Sequence, residues 1–132
     1  MNALHQLYEV LYVSTLDRSV PFSEVAIISR HARMANEVRQ VTGLLVFDGR
    51  RFCQLIEGHK KTVLALIEKI KADKRHLQVE VLHHGDIGQR RFHAFSMGYS
   101  AVDDVDDLAA IEEQYGAAAI DSFMRLAATV EV

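Results

Sequence analysis

The chain predicts an α/β fold of the α+β kind, a ferredoxin-like sandwich with a mixed five-stranded sheet, two helices on one face and further helices at the C-terminus. Two observations carry this. Apolar residues switch between a two-residue and a 3.6-residue period in the order strand, helix, strand, strand, helix, strand. Between the second and third strands stands Asp48-Gly49, a strong short-range hairpin signal.

The first strand is Leu7 to Ser14 (LYEVLYVS), rich in β-formers and closed by the polar run Thr15 to Ser19. From Pro21 to about Arg39 the period becomes helical, with Val25, Ile28, Ala32 and Ala35 on one face; Ser19 or Ser23 can cap its start. Thr42 to Phe47 and Arg51 to Glu57 form the hairpin, and Gly58 is expected to break the strand. A second amphipathic helix spans Thr62 to Ala72, with Val63, Leu66, Ile67 and Ile70 on its apolar side. Asp73 to His76 reads as a polar loop, Val79 to Leu82 as the fourth strand and Phe92 to Met97 as the fifth. Asp103 to Val132 reads as one or two helices whose apolar stripes (Val105, Leu108 and Ile111; Ile120, Phe123, Met124 and Ala127) must cover the open sheet face or a partner subunit. The expected division is a main unit over residues 1–100 and a helical extension over 101–132.

Composition bounds the function. A net charge of −3 without a basic run gives no nucleic-acid surface. No window reaches the roughly 18 uninterrupted apolar residues of a membrane span. The single cysteine, Cys53, permits no internal disulfide, and the N-terminus lacks a secretory pattern, so the expected location is the cytoplasm. There is no nucleophile elbow, phosphate loop, zinc-binding H-E-x-x-H or C-x-x-C. The seven histidines are scattered, and His83 and His84, adjacent in or near a strand, face opposite ways and cannot share an ion.

Polar groups at apolar positions remain. Tyr12 lies inside the first strand, Asn36 beside the core stripe of the first helix, and Gln54 between Phe52 and Ile56 on one face of the third strand. The first and third strands are the central pair of such a sandwich, so Tyr12 and Gln54 can be cross-strand neighbours under the helices. Singly, each has a plain structural explanation: a tyrosine reaching for water, a solvated asparagine, a glutamine on an exposed sheet face. Together they suggest a polar ligand between sheet and helices.

Tyr12, Asn36 and Gln54 resemble the signature of BLUF domains, flavin-using blue-light sensors. So do Tyr12-Val13-Ser14, the run Phe52 to Gly58, Asp73 to His76, and Arg91-Phe92 leading to Phe95-Ser96-Met97-Gly98. The resemblance covers about Leu7 to Tyr99. It implies a non-covalent flavin, FAD, with FMN or riboflavin as alternatives, lying between the two helices against the sheet. Tyr12, Gln54 and Met97 would carry the photochemical switch. Asn36, Gln54, Tyr12, Lys69, Asp73 and His76 would hold the cofactor, Lys69 standing where members often carry arginine. Two departures are visible: Phe95 occupies a position often held by tryptophan, and Ala35 one that is polar in some members. No metal and no enzymatic turnover are expected. Output would pass to an unknown protein partner, and the C-terminal helices suggest a homo-oligomer, at least a dimer. The competing readings are an acylphosphatase-like hydrolase and a flavinless interaction module. The first is disfavoured because Ser14 to Arg18 contains Asp17 and no glycine, a poor anion cradle.

Overall fold

The computed structural model describes residues 6–99 and 106–129, so Val105 lies outside the described residues. The elements run β1 Leu7–Leu16, α1 Glu24–Val38, β2 Thr42–Phe47, β3 Arg51–His59, α2 Lys60–Ala72, β4 His76–Ile87, β5 Phe95–Tyr99, α3 Asp106–Glu112 and α4 Gly116–Ala127. They build one sheet in the order β4-β1-β3-β2-β5, antiparallel throughout except for the parallel β2–β5 pair. This is the expected five-stranded mixed sandwich.

Both faces of the sheet are covered. On one, Val10, Tyr12 and Ile56 meet Val25 of α1 and Val63 and Ile67 of α2. On the other, Leu11, Val13 and Leu55 meet Leu108 and Ile111 of α3 and Ile120 and Phe123 of α4. The strict two-residue alternation of β1 and β3 therefore sorts side chains into two separate cores. It also explains why the middles of both strands are buried without interruption.

Several boundaries differ from the sequence expectation, the clearest of them for local reasons. Gly58 stays within β3, opposite Tyr8, because the strand passes close to Gln40; an added Cβ would lie 3.3 Å from the Gln40 carbonyl oxygen. The backbone turns immediately afterwards, and α2 begins at Lys60 rather than Thr62. His76 opens β4 instead of closing a loop, and β4 has 12 residues because it pairs along the whole of β1. Its mixed polar sequence reflects an edge position with half-exposed side chains, which hides its length from an apolar-run reading. β5 starts at Phe95; Phe92 instead packs against the core under α3 and α4.

The adjacent histidines face opposite ways, as expected. His83 bonds the Glu9 carboxylate through Nε2 at 2.8 Å, whereas His84 bonds the Tyr8 hydroxyl through Nδ1. The C-terminal helices cover their own sheet: Ile120 and Phe123 are buried there, with Met124 and Ala127 packed beside them. The stripe that suggested a subunit contact is thus used within the chain. Phe123→Ala should destabilise the fold by about 3–5 kcal/mol, the usual range for deleting a buried aromatic ring. Urea unfolding monitored by circular dichroism measures it; a loss below about 1 kcal/mol would mean that α4 does not pack here in solution.

Candidate functional site

β1 and β3 pair so that Tyr12 lies directly opposite Gln54. Both side chains are in the core beneath α1 and α2, 1% and 4% exposed. The Tyr12 hydroxyl donates to Gln54 Oε1. Burial, with smaller contributions from the nearby Cys53 and Asp73, pushes the Tyr12 phenol far above its ordinary range, so it is a neutral donor at physiological pH. With Oε1 engaged, the Nε2 end of Gln54 has no hydrogen-bond partner among the described residues. Asn36, on the inner side of α1, is 2% exposed. Its backbone carbonyl accepts from Val41 N–H at 2.8 Å, while its side-chain amide bonds nothing among the described residues.

His76 and Asp73 sit at the other end of α2. Ser14 Oγ lies 2.9 Å from His76 Nδ1, and the imidazole packs on Phe52 with ring centroids 4.8 Å apart. Burial drives the His76 pKa below its ordinary value, outweighing the opposite pull of Asp73. Asp73 closes α2 and binds Arg75 through both oxygens, Oδ2 to Nη2 at 2.7 Å. Those Arg75 hydrogen bonds hold its carboxyl below the usual range.

Met97 shares a pleat row with this pair without adjoining it. The row runs Tyr12, Gln54, Leu45, Met97 across four strands, so Leu45 separates Met97 from Gln54. Two interstrand steps amount to about 10 Å between backbones. Lys69 is exposed on α2 and lines a basic groove with Arg39, His59 and Lys61, apart from the buried pair. Sequence reasoning passed over Ser14, Phe52 and Arg75 as site neighbours. Ser14 and Phe52 were findable from the two-residue period, since each shares a face with Tyr12 or Gln54.

The family described as "BLUF: Sensors of blue-light using FAD" matches residues 7–98. The chain belongs to the BLUF family. Among solved structures, the BLUF protein BlrB in its dark state is 27% identical with a TM-score of 0.78, over 96% of this chain and 98% of that one. The photoactivated adenylate cyclase subunit alpha of Euglena gracilis is 34% identical over 85 residues, 64% of this chain and 8% of its own. The beta subunit of Euglena longa is 31% identical over 88 residues, 67% of this chain and 10% of its own. The chain thus spans about a tenth of these relatives' length.

This BLUF domain is a flavin-based blue-light sensor, and its buried donor set fits the group. A flavin's pyrimidine edge alternates carbonyl oxygens with ring nitrogens; the Asn36 amide offers such an edge a donor and an acceptor, and Gln54 offers its Nε2 donor.

The depressed His76 pKa has a defined consequence. Its folded-state pKa lies below the unfolded value, so the stabilising effect is present above the ordinary value of 6.5 and is lost as pH falls from there towards the folded pKa. Stability should decline with acidification below pH 6.5, more steeply in the parent than in His76→Gln. Urea midpoints across that window, with NMR titration of the imidazole, check the sign; a His76 titrating above 6.5 would overturn it.

Proposed function

We propose that Tyr12 and Gln54 are the photochemical switch, with Met97 reporting its state at the sheet edge, and that the chain signals to a protein partner without catalysing a reaction itself. The observation that carries this reading is the buried Tyr12–Gln54 hydrogen bond between the two central strands. Asn36 and Gln54 would hold the flavin ring, Asp73 and His76 would bound its site, and Lys69 would reach it from the margin.

When bound, the flavin supplies light absorption and a strong electron acceptor. Tyr12 is the phenol placed to give up an electron and a proton. Its burial makes the phenolate unfavourable, so the proton does not leave ahead of the electron. Gln54 bonds the hydroxyl through its oxygen, and its amide can present either end to a neighbour at nearly equal size. Reversal of that amide exchanges an accepting contact for a donating one. Stronger donation to a flavin carbonyl shifts absorption to the red.

The family description names FAD, whereas a solved structure of Klebsiella pneumoniae BlrP1, 28% identical over 69% of this chain and 25% of that one with a TM-score of 0.65, names FMN. FAD is the flavin proposed here. A structure described as a bacterial light-regulated adenylyl cyclase, 25% identical over 78% of this chain and 30% of that one with a TM-score of 0.66, and the Euglena cyclase subunits couple such domains to an effector. Here we assign the effector role to a separate protein and the working location to the cytoplasm. Self-association, if the chain forms at least a dimer, must use a surface other than the buried face of α4.

Purified protein should be yellow and show a small, dark-reversible red shift under blue light. Tyr12→Phe and Gln54→Ala should stay yellow, fluoresce more brightly and lose the shift. Cys53→Ala, whose side chain lies in the core on the opposite face, should retain it. Light-minus-dark spectra of the four proteins decide; a normal shift from Tyr12→Phe would refute Tyr12 as donor.

A further inference from the structure

β5 is an edge strand, paired only with β2 among the described residues. An edge strand offers unpaired N–H and C=O groups to an added strand. Beside it, α1 and β5 enclose a pocket of about 260 Å³ lined by Ala26, Ser29, Arg30, Arg33 and Met97. Arg33 continues into a second hollow of about 410 Å³, lined also by Glu37, His93 and Phe95.

Three features suit this open hollow to an acidic group. Arg30 and Arg33 line it and form no ion pair among the described residues, and no carboxylate lines it. Ser29, 7% exposed, opens on it with a hydroxyl that makes no hydrogen bond among the described residues. Met97 forms part of its wall and occupies the same cross-sheet row as Tyr12 and Gln54. The volume suits one or two side chains rather than a cofactor.

We infer that the α1–β5 groove docks an extended acidic segment of a partner protein, which adds as a strand to the β5 edge and seats an acidic side chain on Arg30, Arg33 and Ser29. Main-chain hydrogen bonds to β5 supply affinity, and the alternation of a strand directs every second side chain into the pocket. Two arginines and a hydroxyl match a carboxylate through charge-assisted and bidentate hydrogen bonds. Light dependence of this docking rests on the switch proposed above, since a changed Gln54 amide reaches the pocket through Leu45 and Met97.

The test uses the full flavin-loaded chain, labelled with ¹⁵N, and a capped peptide alternating Glu with Val, of about eight residues, the upper range of a strand. Addition in the dark should shift the backbone amides of residues 94–97 and the side-chain signals of Arg30 and Arg33. Arg30→Glu/Arg33→Glu, and separately a peptide with Gln for Glu, should each weaken binding about tenfold or more, with strong salt dependence. Failure of the peptide to shift those amides at millimolar concentration, or equal binding by the double variant, would overturn the proposal. So would an oligonucleotide of equal charge producing the same shifts, which would reduce the groove to a general anion site. Affinity should differ severalfold between dark and illuminated samples, and equal affinities would refute the coupling to light. The absorption shift of the same sample separates the two ideas: a red shift without docking sinks only the groove, and docking without a red shift sinks only the photochemical switch.

Discussion

The register of β1 against β3 is the constraint on which the rest depends. Both strands are buried on two faces, so a slip of one residue would exchange the two cores and place Tyr12 and Gln54 under the C-terminal helices. β3 is in turn held in register with its other neighbour, β2, by several contacts. The Asp48-Gly49 turn sets β3 against β2: Asp48 Oδ1 accepts from the N–H groups of Arg50 and Arg51 at 2.9 and 2.7 Å, and Gly49 takes a φ of 99° that suits glycine. Gly43 lets β2 approach β3 where a Cβ would fall 2.0 Å from the Leu55 carbonyl oxygen. The Tyr12–Gln54 pair is therefore a product of strand registration and only secondarily of the side chains around it.

A second polar network, on the opposite face, fixes the approach to β5. Glu57 is fully buried, and its carboxylate accepts from Thr42 Oγ1, Arg91 N–H and Phe92 N–H at 2.8 to 3.0 Å. Its cross-strand partner Glu9 bonds Arg91 Nε at 3.0 Å and His83 at 2.8 Å. Two neighbouring carboxylates in a core are tolerable only because each is neutralised or saturated with donors. The gain is positional: the segment leading to β5 is pinned just before Met97 enters the sheet.

Much of this was legible from residues alone. The helices declared themselves through their period, the hairpin through Asp48-Gly49, and the Tyr12–Gln54 pairing through counting along two strands that had to be central. What stayed hidden shares one cause, long-range pairing. The full length of β4 depends on the whole of β1 being available to it, not on its own composition. Gly58 looked like a strand breaker until Gln40 supplied the close neighbour that leaves little room for a side chain. Glu57 read as one member of a motif because its donors, Arg91 and Phe92, come from 34 and 35 residues downstream. The covering of the second face by α4 is likewise a matter of where a chain end folds back, which an apolar stripe leaves open.

β3 is a wall with no outside. Through its middle it shows side chains to two sealed rooms: Gln54 and Ile56 furnish one, Cys53 and Leu55 the other, and none of the four touches water to any extent. A partition packed at crystal-like density on both sides cannot bow towards one room without drawing away from its neighbour. Any small shift of the β3 backbone at Gln54 must consequently be felt by Leu108, Ile120 and Phe123 on the far face of the sheet. A displacement on the Tyr12–Gln54 side can thus arrive at the C-terminal helices as pressure, carried by volume rather than by a relay of protons or charges.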